Sequence, residues 1–360
     1  MLKEISGVPV IISKGTPYEI GYNHGKSAAE KVQRSYAVNL ESCMLTGFSE
    51  EELLRVAMKF IPAVEKYNKD YIEEIQGIAV GAGLKLEHLM LINSRTELQK
   101  LIWNKKDPAG HVNTCTESCT SFAVTGERTV DGATYVGQSW DNVVPCIPNL
   151  IVHIIHQSGG KPSIAYCGEA GIITRMGLNS CGLGGGVNAL SINAPVKFDG
   201  VPLQFVLRGV MDSRNIAEAI DAVNGIKNAA VNNIMIAYKD SEAVDVEIDD
   251  VNCGILYPVD SIITHTNHYV SPGHPRYPYI DVSFGNSYIR KNRSDKLLRA
   301  IPGKISLLDV QNVYRDHGGY PQSICWHADE TKPEIERMRT IHCFMANLST
   351  LEMHLAIGYP

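Results

Sequence analysis

TESCTSFAVTGERTVDGATYVGQSWDN, residues 116–142, is where the character of the chain changes. SFAVTGERTVDGATYVGQSWD alternates like two strands joined by a turn at Asp131-Gly132, a dipeptide that takes hairpin turns readily. A thiol, Cys119, opens this hairpin and an acid, Asp141, closes it. One hairpin is enough to return a side chain at 141 beside residue 119 on the neighbouring strand.

Upstream of this stretch the pattern is helical. Gly15-Thr16-Pro17 is a helix entry with Pro at the first helical position. Ser49 and Glu52 form a capping box ahead of LLRVAMKFI. Leu53, Val56, Phe60, Val64, Tyr67, Tyr71, Ile75 and Ile78 keep helical spacing, and Pro62 divides the run into two helices. Gly81-Ala82-Gly83 ends it, and a short apolar helix follows through Leu89-Met90-Leu91. Residues 104–115 read as a polar loop.

Downstream, hairpins follow at Gly159-Gly160, at Asn179-Ser180 and within NNIMIAYKDSEAVDVEID. Helices are expected at 213–224 and around SDKLLRAI, and RTIHCFMANLS and EMHLAIG close the chain as strands. Antiparallel runs beside segregated helices, without βαβ alternation, indicate an α+β protein.

The chain has 360 residues, a net charge of −6, 44% hydrophobic and 20% charged residues. That is the balance of an ordinary globular protein, and the absence of a basic stripe argues against nucleic acid. No apolar run approaches the ~18 residues of a membrane span. VPVII is too short for a secretory signal, and nine cysteines at scattered spacings suit a reducing compartment. A cytoplasmic protein without nucleic-acid or membrane partners is expected.

Cys119 admits four readings: packing, redox, metal or chemistry. Cys115 and Cys119 lack C-x-x-C spacing, so a redox pair is disfavoured. His265-x-x-His268 and Cys325-x-His327 do not complete a zinc pattern, and no metal is expected. His265, His268, His317 and His327 read as hydrogen-bonded structural histidines, and Cys325 as core. The glycines 182 and 184–186 miss G-x-G-x-x-G at Val187, so no dinucleotide is implied; they suit a strand passing close to a substrate. Nucleophilic chemistry remains, with a thiol, a base, an oxyanion donor and an orienting group as its requirements.

CTSF followed by GQSWDN, with GTPYEIGYNHG, YIEEIQGIAVGAG and LINSRTEL before them, resembles the acyl-coenzyme A:6-aminopenicillanic acid acyltransferase family. EAGIITRMGLNSCGLGGGVNAL, HTNH, NSYIRKNR, DHGGYPQSICWH and the terminal IGYP extend the resemblance over nearly the whole chain. That family, peptidase family C45, is one of the N-terminal-nucleophile hydrolases. The resemblance implies a four-layer αββα sandwich and self-cleavage between Ser118 and Cys119. Residues 1–118 would become a small chain and 119–360 a large one, which stay associated as one compact domain.

It further implies Cys119 as nucleophile, Asp141 as the group that orients its freed α-amine, and Asn188 as an oxyanion donor. A strand-end asparagine beside glycines is the plain alternative for Asn188. Asn233 is expected as a second active-site amide, with Asn232 as the alternative. Ser287 and Arg290 match the family's S-x-x-R, with Arg290 electrostatic at the site and Arg293 a solvated helix charge. Thr120 and Gln138 support the site, and Gln138 stands where bile-salt hydrolases have Arg. Ser118 replaces the glycine common before the nucleophile, which would slow cleavage if the backbone there were strained.

The activity implied is acyl transfer through a Cys119 thioester, from a small N-acyl amide or acyl thioester to water or an amine. No resident cofactor is expected, and a coenzyme A thioester is a candidate co-substrate. The alternatives are an uncut Cys/His peptidase or amidase and a non-catalytic binding homologue.

Overall fold

The computed structural model describes residues 4–45, 47–106, 117–190, 195–248, 253–272 and 285–360. In chain order the strands are β1 (Glu4–Ile5), β2 (Val8–Gly15), β3 (Glu117–Val124), β4 (Tyr135–Val143), β5 (Leu150–Gln157), β6 (Ile164–Glu169) and β7 (Leu178–Asn179). They continue as β8 (Leu183–Ala189), β9 (Asn232–Tyr238), β10 (Glu242–Ile248), β11 (Cys253–Leu256), β12 (Ile262–His265), β13 (Met338–Asn347) and β14 (Glu352–Ile357). The helices are α1 (Pro17–Ser27), α2 (Ala29–Met44), α3 (Glu50–Ala57), α4 (Ile61–Ala82) and α5 (Leu86–Asn93). After them come α6 (Arg95–Lys106), α7 (Leu203–Asp212), α8 (Ile216–Asn224), α9 (Gly285–Ala300) and α10 (Leu307–Tyr314).

These elements make the expected four layers. One sheet has nine strands in the order β1-β2-β5-β6-β7-β8-β9-β10-β11, the other five in the order β12-β3-β4-β13-β14. Helices α1–α8 pack on the outer face of the nine-stranded sheet, where Ile20, Val32, Ile75, Ile78, Leu207 and Val223 meet Ile151, Ile155, Ile234 and Val246. Helices α9 and α10 cover the five-stranded sheet through Leu298, Val310 and Tyr314 against Phe122, Val124 and Met345. Between the sheets, Cys119, Trp140 and Ile341 face Val152 and Cys167, and Ala123, Val136 and Ala346 face Met235 and Ala237. Strands apolar on both faces are what a buried sheet requires.

Local signals account for many element ends. Thr16 and Ser49 cap α1 and α3 through reciprocal boxes with Glu19 and Glu52. Pro62 stands in the first turn of α4, and Gly83 ends it in the left-handed conformation at φ 69°. Helix α4 breaks locally at Asn68. The β3–β4, β5–β6 and β9–β10 hairpins form as read.

Three expectations need correction. VPVIISKG is not a prelude to helices: it is β2, and it pairs parallel with β5, so the larger sheet is not purely antiparallel. The hairpin at Asn179-Ser180 is reduced to a two-residue β7. Helix α7, LQFVLRGVMD, was not anticipated: it is buried on nearly every side, Gln204 and Arg208 included, so its polar residues mark no solvent-facing side. Of the expected loop, 104–106 are helical and 107–115 lie outside the described residues. Among the described residues no single helix is long and apolar enough to cross a membrane.

Helices α1 and α4 touch backbone to backbone at four glycines. A Cβ on Gly21 or Gly25 would stand 1.9 or 2.2 Å from a carbonyl oxygen of α4, and one on Gly77 or Gly81 would stand 2.3 or 2.4 Å from one of α1. No larger residue fits there without moving backbone.

Candidate active site

Side chains alternate across a strand, so β3 presents two different environments on either side of the Ser118–Cys119 bond. Ser118 and Thr120 point outward to α9; Cys119 points inward toward Val152 and Cys167 of β5 and β6, and Ser121 inward to β8. Opposite them on β4, Ser118 pairs with Asp141, Cys119 with Trp140 and Ser121 with Gln138. Directly opposed residues share a face.

On the outer face Arg290 of α9 is fully buried and grips the strand. Its Nη1 donates to the Cys119 carbonyl (2.6 Å) and to Thr120 Oγ1 (2.9 Å). Its Nη2 donates to Ser118 Oγ (2.8 Å) and Asn267 Oδ1 (2.7 Å). The same Asn267 oxygen accepts from the Cys119 backbone N–H at 3.2 Å and from the Ser118 hydroxyl at 3.0 Å. Ser287 braces Asn267 from behind, accepting its N–H at 2.8 Å, and hydrogen-bonds His268. Asp141 is buried here too: Oδ1 accepts from Thr340 Oγ1 at 2.7 Å, and Oδ2 has no hydrogen-bond partner among the described residues. Burial pushes its carboxyl up to about 7, with Arg290 and the Thr340 hydrogen bond pulling the other way.

The inner face holds the thiol. Burial drives Cys119 up to about 12; Arg175 and a hydrogen bond from Gln138 oppose the shift, while Glu117 and Asp141 add to it. The guanidinium of Arg175 lies 3.9 Å over the Trp140 ring. Glu117, two residues before Cys119, pairs with Arg95 at 2.8 Å and comes within 4.0 Å of Arg175. Burial would raise Glu117, but the two arginines hold it below its usual value.

Across the gap between the sheets, Asn188 Nδ2 donates to Ser121 Oγ and to Asn233 Oδ1, both at 2.7 Å, and Asn233 donates to Asp245 at 2.6 Å. Gln138 exchanges two hydrogen bonds with the backbone of Val187. Gly186 makes this approach possible: a Cβ there would stand 2.8 Å from that of Ser121. The glycines thus admit the facing sheet.

Around one peptide bond the fold therefore gathers Ser118, Cys119, Thr120, Gln138, Asp141 and Arg290, with Asn188 one step along the inner face. Asn233 stands behind Asn188 and Ser287 behind Asn267. Among the described residues, the Asn232 side chain bonds its own turn, at the Ala230 carbonyl. Sequence reading missed Asn267, Arg95, Arg175 and Glu117. Asn267 lies within the quoted HTNH, where the flanking histidines drew attention away from it. Ser118 is extended within β3 and is not among the residues with positive φ, so the strain considered for it does not arise. Its hydroxyl instead joins the Arg290–Asn267 network.

Among the described residues no histidine hydrogen-bonds the Cys119 thiol. His265 is tied to Glu247 (2.7 Å) and the Thr266 carbonyl, and His317 Nε2 lies 2.9 Å from His327 Nε2. Arg293 pairs with Asp316 at a half-exposed position rather than standing free in solvent.

Comparison with known proteins supplies the context. The family model for acyl-coenzyme A:6-aminopenicillanic acid acyl-transferase matches residues 128–360. The acyl-coenzyme A:6-aminopenicillanic-acid-acyltransferase 40 kDa form of Emericella nidulans is 27% identical over 319 residues, 88% of this chain and 84% of the relative. The beta-alanyl-dopamine/carcinine hydrolase of Drosophila melanogaster is 20% identical over 249 residues, 64% of this chain and 60% of that protein. Among solved structures, penicillin V acylase from Agrobacterium tumefaciens superposes with a TM-score of 0.43 at 13% identity, over 66% of this chain and 83% of its own. A mutant conjugated bile acid hydrolase from Clostridium perfringens gives 0.42 at 13% identity, over 66% and 92%.

Proposed function

Because the chain belongs to the acyl-coenzyme A:6-aminopenicillanic acid acyl-transferase family, we propose that it is an acyl-transferring enzyme that works through a thioester on Cys119. Its substrates would be small acyl amides or acyl thioesters, the classes named in its relatives, and its acceptors amines or water. What supports the reading is a convergence on one bond: Arg290 binds the residues on both sides of Ser118–Cys119, and Asn267 holds the nitrogen between them.

The thiol of the uncut chain is held far from ionisation. Maturation begins when Cys119 Sγ attacks the Ser118 carbonyl carbon, the C–N bond breaks, and the nitrogen takes the thiol proton. Water then hydrolyses the resulting thioester, leaving a Ser118 carboxylate and a free Cys119 amine. That amine, with a reference pKa of about 7.7–8.0, becomes the general base for the thiol beside it. Nucleophile and base on one residue need no further assembly. Asp141, opposite Ser118 and with one oxygen to spare, receives the new ammonium, and Asn267 keeps the nitrogen in place.

In turnover the thiol passes its proton to the amine and attacks the substrate carbonyl. The protonated amine then protonates the departing nitrogen or sulfur. Asn188 Nδ2 donates to the oxyanion, exchanging its Ser121 bond for the new one, with Asn233 and Asp245 keeping it aimed. An acceptor amine or water attacks the thioester and releases the acyl group. The fragments 1–118 and 119–360 stay together, since β2 is a strand of the larger sheet and one apolar core draws on both.

The test is a denaturing gel with intact mass on purified protein and on Cys119→Ala. Two fragments for the native chain and one for the variant are expected, with thiol-dependent release of acyl groups only from the former. Cleavage of the alanine variant at this bond would refute the mechanism.

A further inference from the structure

Some distance along the chain from the nucleophile, the segment from Asp316 to His327 folds back on itself. Tyr320 N–H donates to the His317 carbonyl (3.1 Å), Cys325 N–H to that of Asp316 (3.1 Å) and His327 N–H to that of Pro321 (2.8 Å). These bonds bring three donor side chains, His317, Cys325 and His327, within 4.8 Å of one another. His317 Nε2 and His327 Nε2 are 2.9 Å apart, and Cys325 Sγ is 3.7 Å from His327 Nε2.

Zinc binds imidazole nitrogen at about 2.0–2.1 Å and thiolate at about 2.3 Å, which puts tetrahedral ligand atoms roughly 3.3–3.6 Å from each other. The separations of 2.9 and 3.7 Å lie on either side of that spacing, so small side-chain rotations would bring the three donors to it, and sequence spacing alone could not reveal His317 as the third member. The nearby carboxylate does not compete, because Asp316 is committed to Arg293 and to the Gly318 N–H. One side of the cluster is walled by Tyr359, stacked on His327 with ring centroids 4.1 Å apart. His317 is exposed, so the site is open to solvent on its own side.

We propose that His317, Cys325 and His327 bind one divalent ion of the zinc class, with water as the fourth ligand. Three protein ligands and one exchangeable position is a known zinc arrangement, and coordination deprotonates the thiol outright. The ion would also fix Trp326, the residue between two of its ligands. Trp326 N–H donates to Thr340 Oγ1 at 2.9 Å, and that hydroxyl donates to Asp141 at 2.7 Å. The Trp326 ring also lies under the Arg290 guanidinium, at 5.7 Å. Metal occupancy is thereby linked to both outer-face groups of the Cys119 site, although the binding itself does not depend on what that site does.

Cobalt(II) titration of chelator-treated full-length protein tests this. One equivalent should bring up a thiolate-to-cobalt charge-transfer band and the visible bands of tetrahedral coordination, and zinc should erase both. His317→Gln, at an exposed position where folding is not at risk, should weaken binding by more than the about 10–100-fold that loss of an outer-shell partner costs. Cys325→Ser should remove the charge-transfer band, and Cys119→Ala should leave it unchanged. The proposal is overturned if no band forms, if the band survives Cys325→Ser, if His317→Gln binds like the native chain, or if Cys119→Ala abolishes the band.

Discussion

The two faces of β3 differ in what their polar groups still have to offer. Outside, Arg290 and Asn267 spend their hydrogen bonds on the backbone and hydroxyls around Ser118–Cys119. Inside, on the face that also carries the thiol, Asn188 Oδ1 and Trp140 Nε1 are buried with no partner among the described residues. A face whose groups are engaged with the chain holds a bond in place; a face with unspent groups can receive a molecule. Outside, Asp141 Oδ2 and Ser139 Oγ are also without a partner among the described residues, and a freed Cys119 amine is the group that would complete Asp141. Under the proposed mechanism, one side would serve positioning and the other chemistry.

Substitutions can break that division. Cys119→Ala should have the largest effect, removing both self-cleavage and turnover while leaving the folded chain stable in urea. Arg290→Met should come next. It leaves the Cys119 carbonyl, Ser118, Thr120 and Asn267 oxygens short of a buried donor, and should cost about 3 kcal/mol or more of stability, read from urea unfolding, with impaired cleavage. Asn188→Ala, on the opposite face, should do the reverse, lowering kcat by about 10²–10³ with a much smaller change in stability. If Arg290→Met spared stability or Asn188→Ala spared kcat, the two faces would not divide the work in this way.

Asp141 gives a smaller effect with a definite sign. Its folded pKa, about 7, is raised above the ordinary 3.8, so the folded chain binds more protons than the unfolded one between those values. The Asp141 contribution to stability is therefore present at low pH and is lost as pH rises from about 4 to 7. In the uncut Cys119→Ala background, Asp141→Asn should flatten that part of the profile of unfolding midpoint against pH. An unchanged profile would remove the case for Asp141 as a perturbed group. The smallest effect is expected at Arg293, three residues from Arg290 but half-exposed beside Asp316: Arg293→Met should cost no more than about 1 kcal/mol.

Neighbouring residues revealed only local features, and it was the family resemblance that reached Asn188, Asn233, Ser287 and Arg290. The hairpin carrying Cys119 and Asp141, the capping boxes at Thr16 and Ser49, and the helix stops at Pro62 and Gly83 all follow from neighbouring residues. Cys119, Asp141 and Gln138 were legible because one hairpin contains them. Asn267, Arg95 and Arg175 reach the same place from segments 148, 24 and 56 positions away, and nothing in their own neighbourhoods marks the destination. β2 was missed because its ladder partner, β5, lies far along the chain and runs parallel to it. The GYNHG and GIAVG glycines of α1 and α4 carry a packing requirement that appears only when the two helices are set against each other. Cys325-x-His327 was visible as a pair, but its third member joins through a loop closed by backbone hydrogen bonds.

The central claim is that the bond before Cys119 is cut and that the new amine serves the thiol. Mass spectrometry of the active native protein, with the free amino termini labelled, tests it most directly. The expected result is a large fragment whose labelled first residue is Cys119, accompanied by a small one ending at Ser118. A fully active sample consisting only of the uncut 360-residue chain would contradict it.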